Sequence, residues 1–150
     1  MSEYRLEKIE REVVLFLVDG LVLEGVVFVS AFAYGHSGAQ TLLELLREME
    51  RFLPFRDRAG TFRLINREAI SHVRHVPEDY VEPAPLGARA KARLFFFGGE
   101  TLEGSVILEM PEDKCRIKDF LNVAPAFFPL DAGSAHYVVN SRQIHQVVPL

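Results

Sequence analysis

The hydrophobic pattern changes period several times along the chain, and each change predicts an element. Val13 to Val18 is apolar and rich in β-branched residues, which reads as a strand. Asp19-Gly20 follows as a hairpin signal, because both residue types tolerate positive φ. Leu21 to Val29 reads as the partner strand, with Leu23, Val27 and Val29 on one parity as the core face. Gly25 shares that parity, where a missing side chain allows bending or close approach of another backbone. Between Thr41 and Arg51 the period becomes helical, since Leu42, Leu45, Leu46 and Met49 form one stripe. Thr41 and Glu44 have the spacing of a capping box. Phe52 to Phe55, Thr61 to Asn66 and Ala69 to Val76 then read as three more strands. Leu6, Ile9 and Val13 are spaced helically, which predicts an N-terminal helix over Ser2 to Glu12.

The same pattern occurs twice. Val14 to Gly25 (VLFLVDGLVLEG) returns as Arg93 to Gly104 (RLFFFGGETLEG), an offset of 79 positions. Phe52-Leu-Pro-Phe55 returns as Phe127-Phe-Pro-Leu130, offset by 75, and Asn66-Arg-Glu-Ala-Ile70 as Asn140-Ser-Arg-Gln-Ile144, offset by 74. The offset falls where the first copy carries the longer loop SAFAYGHSGAQ, as expected when drift is confined to loops. The helical stripe returns as Ile117, Phe120, Leu121 and Ala124, ending at Pro125. Three blocks in one order imply an internal duplication. The reading is a first repeat over residues 1–77, a proline-rich connector over 78–92 and a second repeat over 93–150, each β-β-α-β-β-β.

Composition narrows the partners more than the fold. A net charge of −4 disfavours broad attraction to phosphate backbones. The single cysteine, Cys115, excludes an internal disulfide framework and fits a reducing compartment. The charged start MSEYRLEKIERE lacks the apolar centre of a secretory signal, and no apolar run is long enough for a membrane helix. A cytoplasmic protein is therefore expected.

The ends of each repeat resemble a known family. Phe16 to Gly25 looks like the first strand pair of Sm-like proteins, including their bacterial RNA-chaperone branch. Glu68-Ala-Ile-Ser-His-Val-Arg-His-Val-Pro77 looks like the closing strand, and Phe95 to Gly104 and Asn140 to Pro149 repeat both ends more faintly. The repeat as a whole, with Lys118-Asp-Phe-Leu-Asn122 and Phe127-Phe128, resembles an uncharacterised bacterial domain of this type. The resemblance implies a mainly β fold with short helices: two tandem small five-stranded barrels, strongly bent. It implies that the turns at Asn66 and Arg67, and at Asn140 and Arg142, lie near an RNA-facing pore. Asparagine also favours such turns on backbone grounds alone. The family departs from this chain between strands two and three, where a loop and helix replace its RNA-contacting loop. The family also pairs strand four of one copy with strand five of the next. That implies an internal pairing between strands near Ala69–Val76 and Ala135–Asn140, with a free edge at each end.

Candidate chemistry is sparse. His72 and His75, three apart on a strand, point to opposite faces, and His136 and His145 lie on other strands. Glu24 and Glu103 recur at equivalent positions but on the parity opposite the core. Gly98-Gly99 reads as a turn, and Gly35-His-Ser-Gly38 lacks the Lys-Ser/Thr ending of a phosphate cradle. Neither a catalytic group nor a metal or cofactor site is assigned. Arg89 and Arg93 resemble half of a cyclic-dinucleotide clamp whose second half is absent, and a charged connector end is the plainer reading. Val26, Phe28 and Phe32 place apolar side chains opposite the core face, where a partner would cover them. The expected function is a non-enzymatic interaction, scaffold or regulatory module. Its rivals are a single-stranded RNA binder and a cyclic-dinucleotide receptor. The expected partners are an unidentified protein and further copies of the chain, with a dimer as the expected state.

Overall fold

The computed structural model describes residues 7–78, 89–108 and 116–150. Cys115, the first six residues and most of the connector lie outside the described residues. Among these residues, ten strands and two short α-helices follow one another as β1 (Lys8–Leu17), β2 (Val22–Ser30), α1 (Leu42–Leu46), β3 (Phe52–Asp57), β4 (Phe62–Asn66) and β5 (Ile70–His75). The second half continues with β6 (Arg89–Phe96), β7 (Thr101–Ile107), α2 (Ile117–Val123), β8 (Phe127–Asp131), β9 (His136–Asn140) and β10 (Ile144–Pro149). The β-β-α-β-β-β order therefore holds in each half. None of the helices is long and apolar enough to cross a membrane, among the described residues.

All ten strands form one open antiparallel sheet in the order β10-β6-β7-β8-β9-β5-β1-β2-β3-β4. The halves share one internal order, with the last strand beside the first. They are fused where β9 pairs with β5, His72 standing opposite Val139 and His75 opposite His136. The sheet runs unbroken through both halves instead of closing into two separate barrels. The physical reason is that β5 is bonded on both sides, by β1 and by β9. This is the internal pairing expected from the sequence.

Two cores lie along the sheet. The first gathers Leu15, Val27, Val29, Leu53, Phe55, Ile70 and Val73 under Leu42, Leu45 and Leu46 of α1. It also contains Phe127 and Val138, which belong to the second half. The second core gathers Leu94, Phe96, Val106, Leu108, Leu130 and Phe120 with Phe128 and Val139. Strands β8 and β9 thus bury both faces, one in each core.

Three expectations need correction. Residues 8–12 extend β1 rather than forming a helix: Lys8 pairs with Ser30 and Glu12 with Val26, and Ile9, Val13 and Leu15 share the inward parity of a strand. Helix α1 keeps its capping box but ends at Leu46, and Met49 is fully exposed. The chain must turn there to start β3 at Phe52, where the Arg67 N–H donates to the Arg51 carbonyl. Strand β6 begins at Arg89, inside the span assigned to the connector, because Arg89 to Ala92 pair with Gly104 to Ile107.

Gly25 and Gly104 are places of close approach. A Cβ on Gly25 would collide with the Arg56 carbonyl oxygen and stand 2.7 Å from the Phe55 ring, and one on Gly104 would stand 2.7 Å from the Asp131 carbonyl. Strand β3 crosses β2 at the first position, and β8 crosses β7 at the second. Gly25→Ala is expected to cost about 2 kcal/mol or more, as overpacking against backbone does. Urea denaturation measures it, and a loss below about 0.5 kcal/mol would mean that the sheet relaxes freely there.

Candidate functional site at the seam between the halves

Several charged and polar residues gather beside the β5–β9 seam, where the described residues form a cleft on each side. The cleft on the turn side, of about 500 Å³, is lined by Arg47 and Arg51 beyond α1, Arg67 after β4, and Asn140 and Arg142 from the second half. Glu48, Glu50 and Glu68 line it too, so its charge is mixed. Arg67 is its most constrained member, only 7% exposed. Its Nη2 donates to the Leu45 carbonyl at 3.2 Å, while Nε and Nη1 find no hydrogen-bond partner among the described residues. Burial lowers the guanidinium pKa from its usual value, with Glu48 and Glu50 acting in the opposite direction.

The two turn asparagines do different jobs. Both cap a single 3-10 turn, Asn66 accepting from the Glu68 N–H at 3.0 Å and Asn140 from the Arg142 N–H at 3.1 Å. Asn140 alone also reaches across the seam, its Nδ2 donating to the Ile70 carbonyl at 2.9 Å in a buried setting. Gln143 adds a second bond across, to the Glu68 carbonyl, and Arg47 a third, to the Phe127 carbonyl. The structure thus brings Arg67, Asn140 and Arg142 into one cleft, while Asn66 serves its own turn.

The cleft on the other side, of about 530 Å³, is lined by Arg56, Arg58, Arg74, His75 and His136 together with Glu12, Glu24 and Val26. Arg56 is held by Glu10 at 2.7 Å and lies 5.6 Å over the Phe28 ring, which covers part of the expected apolar face. Phe32 stays 77% exposed. Glu24 pairs with Arg58 at 3.0 Å, and its counterpart Glu103 with Arg93 at 2.6 Å, so both are surface ion-pair members. Arg89 meets Asp131 at 3.4 Å. Arg89 and Arg93, which resemble half of a phosphate clamp, therefore each already face a carboxylate.

His72 was not recognised as special from the sequence. It is 1% exposed, stacked on Phe16 at 4.3 Å with an interplanar angle of 13°, and 4.8 Å from Phe96. Tyr137 meets it edge-on at 5.8 Å. Phe96 and Tyr137 come from the second half, so the histidine is buried only because the seam exists. His75 lies across the seam from His136, ring centroids 6.1 Å apart. His145 lies apart from both, against Phe97. Groups of three or more His, Cys, Asp or Glu able to hold a metal ion are absent among the described residues.

No protein-family model matches the chain, and no curated protein or solved structure matches it.

The seam bonds predict an asymmetry between the asparagines. Asn140→Ala removes a cap and orphans a buried carbonyl, which should cost about 2–3 kcal/mol, against about 1 kcal/mol for the cap alone in Asn66→Ala. Equal losses in urea denaturation would show that the Asn140 bond to Ile70 contributes nothing.

Proposed function

We propose that this chain is a non-enzymatic interaction module, built of two tandem Sm-like units, that assembles with further copies through the two ends of its sheet. The seam is the observation that carries this reading. There the fourth strand of one unit adds to the fifth strand of the other, and Phe127 and Val138 fill the first core. The matching residues of the first unit are Phe52 on β3 and Leu64 on β4, which is the edge strand among the described residues, and they remain 47% and 60% exposed. At the opposite end β10 has no strand on its outer side among the described residues, and Val147, the counterpart of Val73, is only partly buried. Transferred to these edges, the seam register sets Val147 opposite Leu64 of a second chain and Gln146 opposite Ile65. An exposed strand edge carrying apolar side chains is a ready template for such addition. The contact is head-to-tail, so a closed set of chains satisfies every edge, a dimer being the smallest.

Light scattering on the 17.0 kDa chain is expected to give a multiple of that mass. Leu64→Glu, which places a charge in the contact, should return it to a single chain with its fold intact by circular dichroism. A wild-type protein of single-chain mass at high micromolar concentration removes this reading.

A second reading, single-stranded RNA binding, is favoured by one observation: the buried, incompletely bonded Arg67 at the mouth of a cleft it shares with Arg142. A guanidinium left short of partners is costly in a purely structural role and useful where an anion arrives. Arg67→Met is then expected to leave the protein as stable or more so, while abolishing salt-dependent binding of a short single-stranded RNA. Absence of micromolar binding by the wild-type chain, or binding that survives in the variant, sets this reading aside.

A further inference from the structure

Three of the five histidines lie on the two strands of the seam: His72 and His75 on β5, and His136 on β9. The seam is also where the second half covers the first.

We propose that the seam is an acid-sensitive latch: protonation of His72, buried between strands of both halves, opens the β5–β9 pairing while the strands within each half stay paired. This goes beyond the assembly reading and does not depend on it. His72 is the centre of the latch. It is stacked between Phe16 and Phe96 with Tyr137 at its edge, and its Nδ1 lies 3.0 Å from the Ser71 hydroxyl. Arg74, 5.9 Å over the Phe16 ring, brings a second positive charge to this cluster rather than a counter-ion. Burial alone pushes the His72 pKa from 6.5 down to about 4, and no carboxylate offsets it.

His75, farther along β5, is under opposing influences. Burial lowers the His75 pKa, and His136 lowers it further, while the Val76 carbonyl at 2.7 Å and Glu78 at 4.0 Å raise it. Arg11 stands 4.0 Å from Glu78, Asp131 on β8 is the register partner of His136 on β9 and is held by Arg89, and Glu12 and Arg74 line the same cleft. The farther ion pairs, Arg58 with Glu24 and Arg63 with Asp57, are complete in themselves.

The direction follows from linkage. An opened seam returns His72 to water and its ordinary pKa, so the open form binds the proton more tightly. The closed form is favoured fully above pH 6.5 and loses that advantage as pH falls toward 4, by about 80-fold in the closed–open equilibrium at pH 4.5. Opening would free β5 and β9 as two further edges.

Hydrogen exchange on the full chain at pH 7.5 and 4.5, corrected for the intrinsic pH dependence of exchange, tests the latch. The amides that bond across the seam from β5 and β9 are expected to open about 70-fold more often at pH 4.5 than at pH 7.5. Those between β1 and β2, and between β6 and β7, should change far less. His72→Phe keeps the aromatic stack and removes the titrating group, and should abolish most of the acid response. His72→Leu serves in its place if the phenylalanine does not fit, folding being checked by circular dichroism at pH 7.5. Uniform acid exchange along the whole sheet overturns the proposal, and so does an unchanged acid response in the folded variant.

Discussion

The pairing of β5 with β9 is the contact on which the rest of this molecule depends. The first half does not complete its apolar surface alone. Strand β5 would present an open edge, and the first core would lack Phe127 and Val138. With the seam formed, β8 and β9 bury one face in each core, and Phe127 beside Phe128, and Val138 beside Val139, serve both. Fully burying an aromatic or branched side chain contributes about 1.5–3 kcal/mol, so these two pairs are a large part of the stability of a domain this size. The seam is therefore both a backbone ladder and the closing wall of a core.

The polar chemistry follows from the same contact. Arg67, Asn140 and Arg142 come together because the seam sets the two turn regions side by side. His72 is dry because Phe96 and Tyr137 of the second half close over it. His75 meets His136 because they are register partners. None of these groupings exists within one half, which is why the seam, rather than either half, is the place to look for function.

Much of the fold was legible in the sequence because it is set by local rules. The Asp19-Gly20 turn requires a positive φ, and Gly20 has φ of 89°. The capping box at Thr41 and Glu44 is formed in both directions. Gly25 and Gly104 stood out because they recur, and both permit a backbone to pass close by. The N-terminal reading failed because Ile9 and Val13 fit helical and extended periods equally, and pairing with β2 decides between them. The burial of His72 could not be read from its neighbours along the chain, since three of its four ring and hydroxyl contacts come from other strands. Arg67 was legible as a basic turn residue, but not as a buried one, because the α1 carbonyl it bonds is 22 positions away.

The seam itself is tested most directly by nuclear magnetic resonance on a dilute, isotopically labelled sample. Cross-strand backbone contacts between Val73 and Val138 and between Arg74 and Tyr137, with methyl contacts from Val138 into the core of Val73, are the expected result. Contacts confined within each half, with none joining β5 to β9, would contradict the account.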